Sequence, residues 1–124
     1  MKGQLEKKIV DVLKDLSVPM GNKGFRYLIT AVTEVLADES MLDNMTNKDG
    51  LYEVVAKAHN ATNSSSERAI RHGIECAFSL SDTEAWKKYF GNTSKKPVNK
   101  SFIAALAYAI KLEENEQEEA YDVK

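Results

Sequence analysis

Residues 47–80 read NKDGLYEVVAKAHNATNSSSERAIRHGIECAFSL. Two runs of helical periodicity, 47–58 and 64–80, are separated by HNATN, a stretch rich in turn formers. Asn60 is one of the few non-glycine residues that readily adopts left-handed backbone. Ala56 stands four residues before it and supplies the small side chain that lets two helices approach closely. Ser64 and Glu67 have the S-x-x-E spacing of a capping box at the head of the second run. Two helices joined by so short a turn have the form of a helix-turn-helix.

At 100° per residue, Glu67, Arg68, Arg71, His72 and Glu75 fall within one arc of roughly 140° on the second helix. Ser66, Ala69, Ile70, Gly73, Ile74 and Ala77 fall on the opposite arc. One face is therefore small and apolar, the other charged. Gly73 costs about 1 kcal/mol against Ala in a helix interior, and close packing on the preceding helix is the expected reason for it. Periodicity alone favours a solvated face with i,i+4 pairs such as Glu67–Arg71, since charged helix faces are common.

Outward from this unit the pattern stays helical. Leu5, Ile9, Val12, Leu13 and Leu16 predict a first helix that ends near Ser17, before Val18-Pro19. A second runs from about Phe25 to Ala37, with a short helical turn around Met41, Leu42 and Met45. Thr46 is the expected N-cap of the helix that reaches Ala58. Ser81 with Glu84 predicts another capping box, ahead of Trp86, Tyr89 and Phe90, and Gly91 suits a helix stop. Asn99 is the expected cap of a last helix carrying Phe102, Ile103, Leu106 and Ile110. The aromatic residues, Tyr27, Tyr52 and Tyr108 among them, read as core. The fold class is all-α, a compact bundle of about six helices.

The chain has 124 residues, enough for one core. Its one cysteine excludes an internal disulfide framework and fits a reducing compartment. No apolar run is long enough for a membrane span. A net charge of −2 at pH 7 and a pI near 5.7 speak at first against a nucleic-acid partner. The charge is unevenly placed, however. Residues 54–101 hold 8 basic and 4 acidic residues, while 113–124 hold 6 acidic residues and one Lys. The average hides a basic centre and an acidic tail, the latter expected to be a solvated, disordered or frayed end.

ERAIRHGIECAF at 67–78 strongly resembles the C-terminal DNA-binding domain of the sporulation master regulator family, stage zero sporulation protein A, which reads E-R-A-I-R-H-A-I-E there. VPMGNKGFRYL at 18–28 is similar to the family's GVPAHxKGYxYL, LYEVVAKAHNAT at 51–62 to LYPxIAKKFNTT, and KPVNKSFIA at 96–104 to KPTNSEFIA. The matches keep one order over residues 9–112. The resemblance implies that residues 1–112 are a helical DNA-binding effector domain. Its second helix-turn-helix helix would enter the major groove of TGTCGAA-type boxes in double-stranded DNA.

Carried over residue by residue, Glu67, Arg68 and Arg71 would face base edges, with His72 beside them. Arg pairs bidentately with guanine and Glu accepts from cytosine N4. Thr62, Ser64 and Ser65 at the helix start would meet phosphate, as would Lys95, Lys96 and Lys100 around the last loop. A homodimer on tandem boxes, a contact with RNA polymerase and a place at the bacterial nucleoid, in the cytoplasm, are further implications.

The sequence departs from the family in four ways. Ser65-Ser66 replaces Arg-Val, which removes one cation and loosens the core beneath the helix. Gly73 replaces Ala, and the loop at 91–97 is shorter. No counterpart of the family's phosphorylated receiver domain precedes residue 1, so the expectation is either an excised effector domain or a free-standing relative. The alternative to DNA reading is a receiver-less helical protein-interaction module that modulates a full-length regulator. No catalytic spacing, P-loop or GxGxxG is present, so neither an enzyme nor a cofactor is expected. His72 and Cys76, four apart, with His59 as a third ligand, are too few for a zinc site.

Overall fold

The computed structural model describes residues 2–92 and 94–122. Six α-helices follow in chain order among them: α1 (Lys2–Asp15), α2 (Lys23–Ala37), α3 (Leu51–Ala58), α4 (Asn63–Phe78), α5 (Glu84–Phe90) and α6 (Asn99–Asp122). A single 3-10 turn, Glu39–Asp43, stands between α2 and α3. No strand occurs among the described residues, and the bundle is all-α as expected.

α2 is the central element. Leu28, Ala31 and Val32 are fully buried, and the helix packs on α1, α3, α4 and α6. α1 contributes Ile9, Leu13 and Leu16 to this core, and α6 contributes Phe102, Ile103, Leu106 and Ile110. Trp86 of α5 closes one end. It packs against Phe90 and Phe102, with ring centroids 4.8 and 6.0 Å away. Its Nε1–H donates to the Leu16 carbonyl at 2.8 Å, which satisfies the one polar group of a buried indole.

Helix ends follow local chemistry, sometimes not the chemistry expected. α1 stops at Asp15, and Ser17 takes φ 68°. The Ser17 and Val18 N–H groups bond back to Lys14 and Leu13, the pairing of a Schellman motif, just ahead of Pro19. α3 begins at Leu51 with Gly50 as N-cap, not Thr46. Residues 44–50 instead fold back, so that Asn44 and Met45 carbonyls accept from Leu51 and Tyr52 N–H. A Cβ on Gly50 would collide with the Asn44 carbonyl oxygen.

The α4 cap is Thr62 with Ser65, not Ser64 with Glu67. Thr62 Oγ1 accepts from the Ser65 N–H at 3.1 Å, and Ser65 Oγ accepts from the Thr62 N–H at 3.0 Å. Asn60 does adopt φ 54°, and the turn after it is complete two residues earlier than predicted. At α5 the cap is Thr83, which accepts from the Trp86 N–H at 3.2 Å, and not Ser81. Gly91 ends α5 with φ 68°, as expected. Asn99 is the first residue of α6 rather than its cap, and its side chain turns inward. α6 continues through Asp122, so the acidic segment is helical to that point where the sequence suggests a frayed end. Tyr27 and Tyr52 are buried, but Tyr108 is 66% exposed and is no core residue. It lies on the outer side of α6, one residue past the inward-facing Leu106 and Ala107.

Candidate nucleic-acid interface

α3 and α4 pack together, joined by residues 59–62. The turn is closed by the Ala61 N–H, which donates to the carbonyl of buried Ala56 at 2.8 Å. α4 then divides as its periodicity requires. Ser66, Ile70, Gly73, Ile74 and Ala77 are buried. Arg68, Arg71, His72 and Glu75 are exposed, and Glu67 is half-buried.

The inward face is seated mainly on α2, because Gly73 meets Gly24. A Cβ added to Gly73 would lie 3.4 Å from Gly24 Cα. The expected partner of Gly73 was the preceding helix, and the actual one is α2. Ser66 is buried with its Oγ unpartnered among the described residues.

A second clamp holds the start of α4. Asn99 Nδ2 donates to Tyr52 Oη at 3.0 Å and to the Glu67 carbonyl at 3.2 Å. One buried amide thus ties α6 to both helices of the pair. Burial pushes the Tyr52 hydroxyl above its ordinary pKa, opposed in part by the Asn99 hydrogen bond.

The outward face carries its own ion pairs. Arg71 Nη1 sits 2.7 Å from Glu67 Oε1, the i,i+4 pair anticipated above. Lys96 lies 3.7 Å from Glu75, and Lys100 lies 3.6 Å from Asp43. Lys95 is exposed. The hydroxyls of Thr62 and Ser65 are engaged in the cap, and Ser64 Oγ stands 3.4 Å from Thr62 Oγ1. His72 Nε2 approaches Cys76 Sγ at 3.6 Å. His59 is engaged with α2, its Nε2 2.7 Å from Thr30 Oγ1 and its ring centroid 4.5 Å from that of Tyr27. No group of three or more potential metal ligands gathers among the described residues. Burial, then the nearby Arg26 charge, lowers the His59 pKa below 6.5.

Two grooves flank this face. One, toward α3, is bordered by Thr46, Tyr52, Ser64, Glu67 and Arg71. The other, about 830 Å³ in volume, lies between α4 and the start of α2, and brings Lys23, Arg26 and His59 beside Arg68 and His72. Sequence reasoning gave Lys23 and Arg26 no role, and read Tyr52 only as core and Asn99 only as a helix cap. The i,i+3 spacing of Lys23 and Arg26 was a usable signal for the first two. The last two meet only through tertiary structure. A family model described as "Sporulation initiation factor Spo0A C terminal" matches residues 9–110.

Proposed function

This chain belongs to the Spo0A C-terminal family, a family of DNA-binding effector domains, and on that premise we propose that it is a sequence-specific transcription regulator reading double-stranded DNA with α4. The observation that carries the reading is the division of α4, with Arg68, Arg71 and His72 exposed beside Glu67 on one side and Ile70, Gly73 and Ile74 buried on the other. A helix held by one face and charged on the other is what major-groove entry requires.

In this reading Arg68 and Arg71 meet guanine edges of a TGTCGAA-type box, Glu67 accepts from cytosine, and His72 lies beside them. Thr62, Ser64 and Ser65 approach phosphate at the start of α4, and Lys95, Lys96 and Lys100 do so around the last loop. Lys96 and Lys100 would exchange Glu75 and Asp43 for phosphate on binding. Two copies would sit on tandem boxes and meet RNA polymerase, at the nucleoid of a bacterial cytoplasm. The test is a titration at fixed salt on a TGTCGAA-type duplex and on a scrambled one. Tighter binding to the first is expected, and equal affinity overturns sequence specificity.

A second reading, the protein-interaction module, draws on a different surface. Val35, Leu36, Leu42, Ala104, Ala107 and Tyr108 line an apolar groove between α2, the 3-10 turn and α6. A chain that binds neither duplex but captures a full-length regulator of its own family would favour that reading.

A further inference from the structure

We infer that Lys23 and Arg26, at the start of α2, grip the phosphate backbone of the strand that borders α4. The inference rests on the DNA-reading function proposed above and assigns it a contact surface outside the helix pair.

The argument begins with Gly24. It lies between the two cations in sequence, and a Cβ on it would lie 3.2 Å from Gly73 Cα. The start of α2 is therefore pressed against the middle of α4, with no side chain between the backbones. The major groove is about 12 Å wide, and a helix with its side chains is about 10–12 Å across. A helix seated there fills the groove, so cations that line its flank meet the phosphates along the edge. Lys23 and Arg26 stand at that flank, in the groove shared with Arg68 and His72.

Charge selects the same residues. Lys23, Arg26 and Arg68 are exposed, and none has an ion-pair partner among the described residues, whereas Arg71, Lys96 and Lys100 are paired with Glu67, Glu75 and Asp43. The groove holds one carboxylate, Glu75, among its lining. Unpaired cations bind phosphate without first breaking an internal pair. They also add to the counterion release that sets salt dependence.

The experiment measures affinity against salt for wild type and for Lys23→Gln/Arg26→Gln, on a TGTCGAA-type duplex and on a scrambled one. Each phosphate contact contributes about 0.9 to the slope of log K against log salt, so the double variant should be shallower by about 1.8. Both duplexes should weaken by the same factor, leaving discrimination unchanged. Lys23→Arg/Arg26→Lys should keep the wild-type slope, which separates charge from packing. An unchanged slope in the glutamine variant, with wild type binding normally, overturns this inference and leaves the DNA reading standing. So does a change in discrimination without a change in slope. Wild type that binds neither duplex overturns both.

Discussion

Gly24 and Gly73 meet backbone to backbone, yet the two positions are not equivalent. A Cβ on Gly24 would collide with the Ala69 carbonyl oxygen, whereas one on Gly73 would meet Gly24 Cα at 3.4 Å, an ordinary van der Waals separation. Gly73→Ala should therefore be tolerated, and should gain up to about 1 kcal/mol from helix propensity. Gly24→Ala forces α2 and α4 apart and should cost about 1–3 kcal/mol or more. Urea unfolding of the two variants checks this, and equal effects would refute the asymmetry.

Ser66 is a buried hydroxyl without a partner among the described residues. Leaving such a group unsatisfied costs about 1–3 kcal/mol, so Ser66→Ala should stabilise the chain by roughly 1 kcal/mol. A rise in thermal midpoint is the expected result, and a fall would mean that the hydroxyl is satisfied in solution.

Asn99 should be among the costlier polar residues to remove. Asn99→Ala breaks both of its hydrogen bonds and leaves the Glu67 carbonyl and Tyr52 hydroxyl short of a donor, at about 2–3 kcal/mol. Tyr52→Phe removes only one of the two bonds and should cost about 1 kcal/mol. A double-mutant cycle should give a coupling well above zero, and additive losses would break the proposed clamp.

His59 gives the stability a pH dependence. Its pKa is lowered in the folded chain, so between that value and 6.5 the unfolded state binds more protons. Stability is then held above pH 6.5 and falls as pH drops below it. His59→Gln should flatten the stability profile in that window, measured by urea midpoints from pH 7.5 to pH 5. A profile unchanged by the substitution would show that carboxylates alone set the slope.

Arg71→Ala should relax discrimination at one base pair of the box by about 1–3 kcal/mol. Lys96→Ala should weaken matched and scrambled duplexes alike. Fluorescence anisotropy with both DNAs separates the two outcomes, and an Arg71 variant that keeps full discrimination would remove it from the reading face.

The sequence carried much of this architecture because helical period and burial agree. The buried and exposed arcs of α4 follow from spacing alone, as does the left-handed turn at Asn60. What escaped was decided by tertiary structure or by competing hydroxyls. Thr62 and Ser64 both have capping side chains, and only the geometry of the turn after Asn60 selects Thr62. Gly73 announces a close approach, but nothing nearby says that the partner is Gly24, 49 positions earlier. Asn99 has the composition of a cap, and its inward use depends on Tyr52 lying opposite. Tyr108 reads as core by residue type alone, and its spacing sets it on the side of α6 opposite Phe102, Ile103, Leu106 and Ile110.

The hydrogen bond from Trp86 to Leu16 joins positions 70 apart, and Trp86 is the single tryptophan of the chain. The molecule thus contains its own optical reporter at the junction of α1, α5 and α6. Its indole is dry and hydrogen-bonded only when both ends of the domain have docked. Emission should therefore shift to the red as that junction opens, and the time course of its return should mark the closing of the loop between Leu16 and Trp86 during folding. With the indole buried away from solvent, DNA arriving on the exposed face of α4 should leave that signal nearly unmoved, so folding and binding can be followed separately in one sample.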